Sequence, residues 1–193
     1  MITSEILEYT EKYYKLKEYS FFHQTISLII SQKISFKKSR SIRSKIFEKI
    51  FPEKEFTIQN FKFIKEDLKN FGLNETQIDT INNIIEIYNK DLDVINWIHK
   101  IQKIKGIGIW TIKCLKIMFN IDNDIFLSED FWIRSRLSEL YNYNYVITIK
   151  ESNDISIQWK GYRTNVSKFL WRIKPEGIEA LKNKDLLIKE HFL

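Results

Sequence analysis

Apolar residues recur at the spacing of a helix face through most of this chain, and this periodicity constrains the fold more than any other feature. Only five glycines and two prolines interrupt it, so turns should be short. The segment at residues 21–31 is apolar on all sides, which predicts a buried helix. Only residues 145–149 alternate, weakly, and there we expect a short extended piece. The pattern predicts an all-α protein.

The limits of the predicted helices follow from local signals. Pro52 and Gly72 are natural stops for two of them. Ser128 or Asp130 is the expected N-cap of one helix, and Thr164 that of another. The predicted helices cover residues 4–17, 21–31, 36–51, 60–71, 75–89, 91–104, 109–119, 128–141, 165–173 and 177–189.

Charge and cysteine content narrow the class of function. A net charge of +6 and a pI near 9.2 fit an anionic partner such as nucleic acid. A single cysteine, Cys114, excludes an intrachain disulfide and a cysteine-ligated iron–sulfur cluster, and three histidines are too few for a zinc site. The N-terminus does not resemble a signal peptide, and no apolar run approaches a membrane span. We therefore expect an intracellular protein that is not secreted, uses no membrane and requires no cofactor.

The glycines Gly106 and Gly108 lie between two predicted helices and form the most informative motif. Glycines permit a tight turn with positive φ, and the helix that follows directs its first N–H groups outward, where a phosphate can bind. An ordinary glycine-rich turn is the alternative; the flanking helices and the adjacent Lys105 favour phosphate binding. Three isoleucines are expected to anchor the turn in the core: Ile104, Ile107 and Ile109.

An acidic pair, Glu129 and Asp130, follows after one further predicted helix. Such residues in a first helical turn usually serve as caps or favourable charges. With the glycine hairpin before it, Asp130 can instead act on a sugar, stabilising an oxocarbenium-like centre or activating water. Glu129 is the local competitor for this role.

Residues 104–137, IKGIGIWTIKCLKIMFNIDNDIFLSEDFWIRSRL, resemble the helix-hairpin-helix DNA glycosylases, and among them the alkylbase branch, 3-methyladenine DNA glycosylase II. The block Trp159-Lys160-Gly161-Tyr162-Arg163 through Trp171 is similar to the Trp-x-Pro-Trp-Arg segment of that family. Residues 22–42, with Ser31-Gln32-Lys33-Ile34-Ser35, resemble the helix and loop that enter the DNA minor groove.

The resemblance implies one compact unit, 1–193, of two helical lobes with a cleft between them. One is a six-helix, barrel-like lobe over residues 22–128 that contains the hairpin; the other combines residues 1–21 and 129–193. We expect no counterpart here of the β-sheet domain that precedes the lobes in the family. Between Arg136 and Trp159 the chain is longer than the family pattern.

The family's roles carry over to matching positions. Asp130 would be the catalytic carboxylate. The lysine that forms a Schiff base in bifunctional glycosylase/lyases is replaced by Trp110, which implies a monofunctional enzyme; Lys113, one helical turn on, should not substitute. The resemblance implies DNA contacts for Gln32, Lys33, Ile34, Lys105, Gly106, Gly108 and Thr111. It implies a pocket for the flipped base that is lined by Trp110, Cys114 and Trp171. It also implies a structural Na⁺ or K⁺ ion bound by the backbone carbonyls of Gln102, Ile104 and Ile107.

Several of these positions depart from the family or have a simpler interpretation. Lys33 stands where leucine often intercalates, so Gln32 and Ile34 are further candidates to fill the gap left by a flipped base. Cys114 replaces an aromatic pocket residue. For Trp171, core packing is the alternative to stacking on the base.

The resemblance implies a monomeric enzyme that flips an alkylated base, such as 3-methyladenine, out of double-stranded DNA. Hydrolysis of the N-glycosidic bond then leaves an abasic site, the first step of base excision repair. Two alternatives remain open: a glycosylase for oxidised or mismatched bases, and a non-catalytic helix-hairpin-helix module that binds DNA.

Overall fold

The computed structural model describes residues 19–50, 55–88, 90–173 and 178. Regular structure in these residues is entirely helical, with nine α-helices, two 3-10 turns and no strand, so the all-α prediction is confirmed. The 3-10 turns are Lys65–Asp67 and Ile157–Trp159. The α-helices are α1 (Phe21–Ser31), α2 (Phe36–Lys49), α3 (Ile58–Phe63), α4 (Glu75–Ile87), α5 (Val94–Ile101), α6 (Ile109–Met118), α7 (Phe131–Leu140), α8 (Ile149–Ser156) and α9 (Arg163–Arg172).

Most of these helices begin at a side-chain cap that the sequence supplies. The cap oxygen accepts a hydrogen bond from the backbone N–H three residues on, which satisfies a donor that has no partner within the helix. In α3, α4 and α8 the bond is reciprocated in a capping box. The caps are Ser20, Ser35, Thr57, Asn74, Asp93, Asp130 and Thr148.

The chain forms two compact units that divide between Leu115 and Lys116, inside α6. The two lobes that the resemblance implies, with their boundary at residue 128, stay a prediction. In the unit that contains Lys17–Leu115, α1 packs against α2 and α4, and α3 packs against α4. The indole of Trp97 is fully buried there and donates to Thr25 Oγ1 at 2.9 Å. In the other unit, α7 packs against α8 and α9 around Ile133, Leu137 and Leu170.

Two predicted features in the second unit need correction. Residues 145–149 form no strand: residues 146–148 are irregular with Thr148 extended, and a capping box between Thr148 and Glu151 starts α8 at Ile149. Thr164 is not an N-cap: α9 begins at Arg163, and Thr164 is buried, with its hydroxyl bonded to the backbone of a distant segment.

Other boundaries differ less. The predicted helix at residues 60–71 is shorter, since α3 ends at Phe63 and a 3-10 turn follows before Gly72. The helices predicted at residues 4–17 and 177–189 lie outside the described residues, except for residue 178. Among the helices that are described, none is both long and apolar enough to cross a membrane.

Candidate active site

The hairpin between α5 and α6 requires one of its two glycines. Gly106 has φ +97°, and a Cβ placed on it would lie 2.1 Å from Thr80 Oγ1. The same hydroxyl donates to the Thr76 carbonyl at 2.7 Å within α4 and lies 3.1 Å from the carbonyl oxygen of Lys105. A side chain at position 106 would therefore face both a disfavoured backbone conformation and a direct clash with α4.

Gly108 is under no such constraint. Its φ is not in the positive region, and, apart from its chain neighbours and the adjoining backbone, no atom of the described residues lies within 4 Å of the position that a Cβ would take. Its carbonyl accepts the Ile112 N–H at 3.2 Å and so begins α6. Gly108 therefore leaves open space beside the N-terminus of α6, where the first helical N–H groups and the positive end of the helix dipole favour an anion.

The hairpin is bonded to the loop after α1 through one side chain. Gln32 Nε2 donates to the Gly106 carbonyl at 2.9 Å and lies 3.1 Å from Thr111 Oγ1. Just before that loop, the Ile29 carbonyl near the end of α1 accepts a hydrogen bond from Gln77 Nε2 of α4 at 2.8 Å. Both segments predicted to touch DNA are thus connected within one unit.

These contacts assign Gln32 a role that the sequence does not reveal, because its partners lie more than seventy residues away. Lys33 follows with φ +55° and an exposed side chain, while Ile34 is half-buried. A positive φ is uncommon for a residue with a side chain, and here it places Lys33 at the tip of the loop. Which of the three residues enters DNA stays a prediction.

The expected isoleucine anchors are only partly correct. Ile107 is buried and Ile104 half-buried, and the Ile107 N–H donates to the Ile104 carbonyl at 3.0 Å. Ile109 is 60% exposed, so its predicted anchoring role is wrong. It is the first residue of α6, on the open side next to Gly108, and its side chain does not enter the core.

Asp130 is the N-cap of α7, and Ser128, the alternative, is fully buried in the preceding turn. Asp130 Oδ1 accepts the Ile133 N–H at 3.0 Å, and the Asp130 N–H donates to the Leu127 carbonyl at 3.1 Å. This cap holds the carboxylate in place at the first turn of α7. Glu129 is half-buried and does not cap the helix.

Two exposed aromatic side chains follow Asp130, and no sequence signal singles them out. Phe131 is 62% exposed and Trp132 50% exposed. The Arg136 guanidinium lies 4.4 Å from the Trp132 ring centroid and donates to Glu139 Oε2 at 2.7 Å. Stacked and ion-paired, this arginine holds the indole against α7.

The residues predicted to line the base pocket differ in exposure. Trp110 and Trp171 are half-buried, whereas Cys114 is fully buried, so its thiol is not accessible in this conformation. Trp110 and Cys114 belong to the Lys17–Leu115 unit and Trp171 to the other. Their assembly into one pocket stays a prediction.

The predicted cation ligands are backbone carbonyls, of which Ile104 already accepts one hydrogen bond, from Ile107. A carbonyl oxygen has a second lone pair, so this bond does not exclude a Na⁺ or K⁺ ion. No group of three His, Cys, Asp or Glu side chains suited to a metal occurs in the part of the chain described here.

Helix α2 carries the densest positive charge beside the loop after α1. Its Ser35 cap accepts the Lys38 N–H, and Arg43 Nη1 donates to Ser31 Oγ at 3.2 Å. Burial, with a smaller contribution from the neighbouring Arg40, lowers the pKa of Arg43. The exposed cations of the helix are Lys37, Lys38, Arg40, Lys45 and Lys49.

Comparison with known proteins finds likeness in structure only. No protein-family profile and no curated protein sequence matches the chain. A 3-methyladenine DNA glycosylase from Schizosaccharomyces pombe, in complex with abasic DNA, superposes with a TM-score of 0.71 at 22% identity, over 89% of this chain and 90% of that one. The 3-methyladenine DNA glycosylase of Archaeoglobus fulgidus gives 0.68 at 21% identity, covering 88% of this chain and 66% of that one.

A DNA-3-methyladenine glycosidase from Bacillus halodurans extends the match to 99% of this chain and 90% of that one, with a TM-score of 0.57 at 18% identity. The backbone of this chain follows a similar course in all three structures. The chain therefore has the fold of the helical DNA glycosylases.

Proposed function

We propose that this protein is a DNA glycosylase that excises alkylated bases such as 3-methyladenine from duplex DNA. The observation that carries the proposal is that one chain with the glycosylase fold contains both a glycine hairpin, with open space at Gly108, and a carboxylate, Asp130, that is held at the start of its own helix. The three similar structures are named as glycosylases or glycosidases of 3-methyladenine, which supports this base class.

The hairpin supplies affinity without sequence preference. Amides at the start of α6 would hold one DNA phosphate beside Gly108, and the cations of α2 would contact others. Each neutralised phosphate releases counterions, so binding should weaken steeply with salt. The S. pombe protein of the same fold was solved with abasic DNA, the product of base excision.

Asp130 supplies the chemistry. As the bond between C1′ and the base nitrogen breaks, its electron pair leaves with the base and positive charge develops on the sugar. The anionic Asp130 stabilises that charge, water adds to C1′, and loss of its proton completes an abasic site. A base that already carries a positive charge leaves as a neutral molecule, so few contacts to the leaving group are needed.

We infer that the enzyme is monofunctional. Trp110 stands where the bifunctional relatives carry an amine, and an indole cannot form a Schiff base with C1′. Trp110 and Trp171 remain our candidates to stack on a cationic base, since both are half-buried and a ring face attracts a cation. We further propose that the enzyme is a monomer that acts wherever DNA is present. The hairpin carbonyls would bind a structural Na⁺ or K⁺ ion.

The test is base release from duplexes that carry single lesions, measured by chromatography of the freed base and by alkaline cleavage of the product strand. We expect release of methylated purines, an intact strand before alkali, and no covalent complex after borohydride. Release of oxidised or mismatched bases alone would favour the first alternative function. Tight DNA binding without release of any base would favour a non-catalytic binding module.

A further inference from the structure

An irregular segment, residues 121–127, connects α6 to the turn before α7 and is bonded along its length to α9. Thr164 makes three of these bonds. Its N–H donates to the Asn123 carbonyl at 3.2 Å, and its Oγ1 donates to the Asp122 carbonyl at 2.6 Å. The same oxygen accepts the Ile125 N–H at 3.0 Å. Thr164 thus satisfies backbone N–H and C=O groups of the segment that would be paired with a neighbouring strand in a β-sheet.

Ser167, one helical turn further along α9, continues the pattern. Its Oγ donates to the Ile125 carbonyl and accepts the Leu127 N–H, both at 3.1 Å. Ser167 and Thr164 are both almost completely buried, so water does not compete for these bonds. A buried hydroxyl that satisfies one donor and one acceptor of the same segment fixes its register against the helix.

The start of α9 adds an ion pair to the same segment. Arg163 Nε donates to Asp124 Oδ1 at 2.7 Å and Nη2 to Oδ2 at 2.6 Å, and the Gly161 N–H donates to Oδ1 at 2.7 Å. Hydrogen bonding and charge from Arg163 hold the pKa of Asp124 at about 2. A bidentate arginine–carboxylate pair restricts direction as well as distance, which a lysine cannot do.

The segment held in this way ends at Leu127, three residues before the candidate catalytic residue. The Leu127 carbonyl, next to the amide that Ser167 holds, accepts the Asp130 N–H at 3.1 Å. From there, Asp130 Oδ1 accepts the Ile133 N–H and caps α7, which packs against α9. Asp130 is therefore connected to α9 by an unbroken series of hydrogen bonds within one unit.

We propose that Arg163, Thr164 and Ser167 are positioning residues that set the place of the Asp130 carboxylate by holding residues 121–127 against α9. The proposal rests on the proposed function for its effect on rate. A displacement of about 1 Å in a reacting group can lower a rate by roughly a hundredfold, so loosening the segment should reduce catalysis more than binding.

Two variants test this effect under single-turnover conditions with enzyme in excess. Arg163→Lys keeps the positive charge and loses the bidentate geometry of the bond to Asp124. Ser167→Ala removes the hydroxyl bonds to Ile125 and Leu127. For each we expect the excision rate to fall by about tenfold, with unchanged reaction amplitude and less than about twofold change in affinity for an abasic-site duplex. A role in folding alone would lower the folded fraction seen by denaturant titration and leave the rate at saturating enzyme unchanged, which would overturn the proposal.

Asp154→Asn is the matched control. It breaks an exposed ion pair of the same unit, Lys150 Nζ to Asp154 Oδ2 at 3.0 Å, and should change neither rate nor affinity. In the Asp130→Asn background, Arg163→Lys should cause no further loss, because the residue acts through Asp130. The same fractional loss in both backgrounds would contradict that route.

Amide hydrogen exchange tests the support without any activity. Ser167→Ala should accelerate exchange at Leu127, whose N–H loses its acceptor, and at Ile133, whose N–H reports the Asp130 cap. Unchanged exchange at Ile133 would show that Asp130 does not depend on this segment. If the unaltered protein excises no base, the proposed function fails, and the exchange result still decides the positioning claim.

Discussion

The Nε2 atom of Gln32 donates to the carbonyl oxygen of Gly106 at 2.9 Å and thereby joins the loop after α1 to the glycine hairpin. Both segments are candidates for DNA contact, and this amide, which also lies 3.1 Å from Thr111 Oγ1, bonds one directly to the other. Their geometry would be set before DNA arrives, which lowers the entropic cost of binding.

Gln32→Met preserves the length of the side chain and removes its donors. Because the Gly106 carbonyl then loses a partner, we expect about 1 kcal/mol lower unfolding free energy and weaker binding of duplex DNA. Denaturant titration and fluorescence anisotropy measure the two effects. Gln59→Ala, at an exposed position of α3, is the control and should alter neither. DNA affinity equal to that of the unaltered protein would show that the connection is irrelevant to binding.

Alanine at each hairpin glycine should separate stability from DNA binding. Gly106→Ala meets Thr80 and a positive φ, so it should lower the unfolding free energy by more than about 2 kcal/mol. Gly108→Ala has room and should change stability by less than about 0.5 kcal/mol. It should nevertheless weaken DNA binding by about tenfold, since its methyl group occupies the space proposed for a phosphate. Full affinity in Gly108→Ala would contradict phosphate binding at this turn.

His23 makes the stability of the fold depend on pH. Its buried Nδ1 accepts the Phe56 N–H at 2.8 Å, and the ring stacks on Tyr19 at 3.9 Å. Burial lowers its pKa to about 4; Glu55 acts in the opposite direction, and Arg43 adds slightly to the decrease. In the unfolded chain, His23 is therefore protonated below about pH 6.5, whereas in the folded chain it is protonated only below about pH 4.

Stability should consequently fall as the pH decreases from 6.5 to 4, by up to roughly 3 kcal/mol at about 1.4 kcal/mol for each unit of pKa difference. Chemical denaturation over this range measures the slope. His23→Gln should remove most of it, and His99→Gln, at an exposed position, should not. Equal slopes in the two variants would exclude His23 as the cause.

The local parts of the fold follow closely from the sequence. The predicted helix at residues 21–31 has the bounds of α1, because Ser20 caps it and its apolar residues are buried. The turn at Gly106 is likewise a local event, since a positive φ is a property that glycine supplies wherever it stands. In both cases the signal lies within a few residues of the structure that it specifies.

Contacts between distant residues account for what the sequence did not predict. Thr80 and Gln32 contact the hairpin from other helices and loops. Thr164 has the local sequence signal of an N-cap, but its hydroxyl is hydrogen-bonded to a segment some forty residues away. At α8, the capping box of Thr148 outweighed a weak alternation of apolar residues. Spacing along the chain cannot reveal such partners, because only the packed helices bring them together.

The central claim is that the charge of Asp130 drives base excision, and the N-cap geometry permits a clean test of it. Asn caps helices about as well as Asp, so Asp130→Asn should keep the bond to Ile133 and change stability by less than about 0.5 kcal/mol. Asp130→Ala should cost about 1 kcal/mol through loss of the cap. Glu129→Gln, one residue earlier, is the matched control for charge and should leave the rate unchanged.

The decisive measurement is the single-turnover rate of release of a methylated purine from duplex DNA by Asp130→Asn. We predict a fall of at least about a hundredfold, with DNA affinity and stability preserved, because only the stabilisation of the developing sugar cation is lost. Release at the rate of the unaltered protein would contradict the assignment of Asp130 as the catalytic carboxylate.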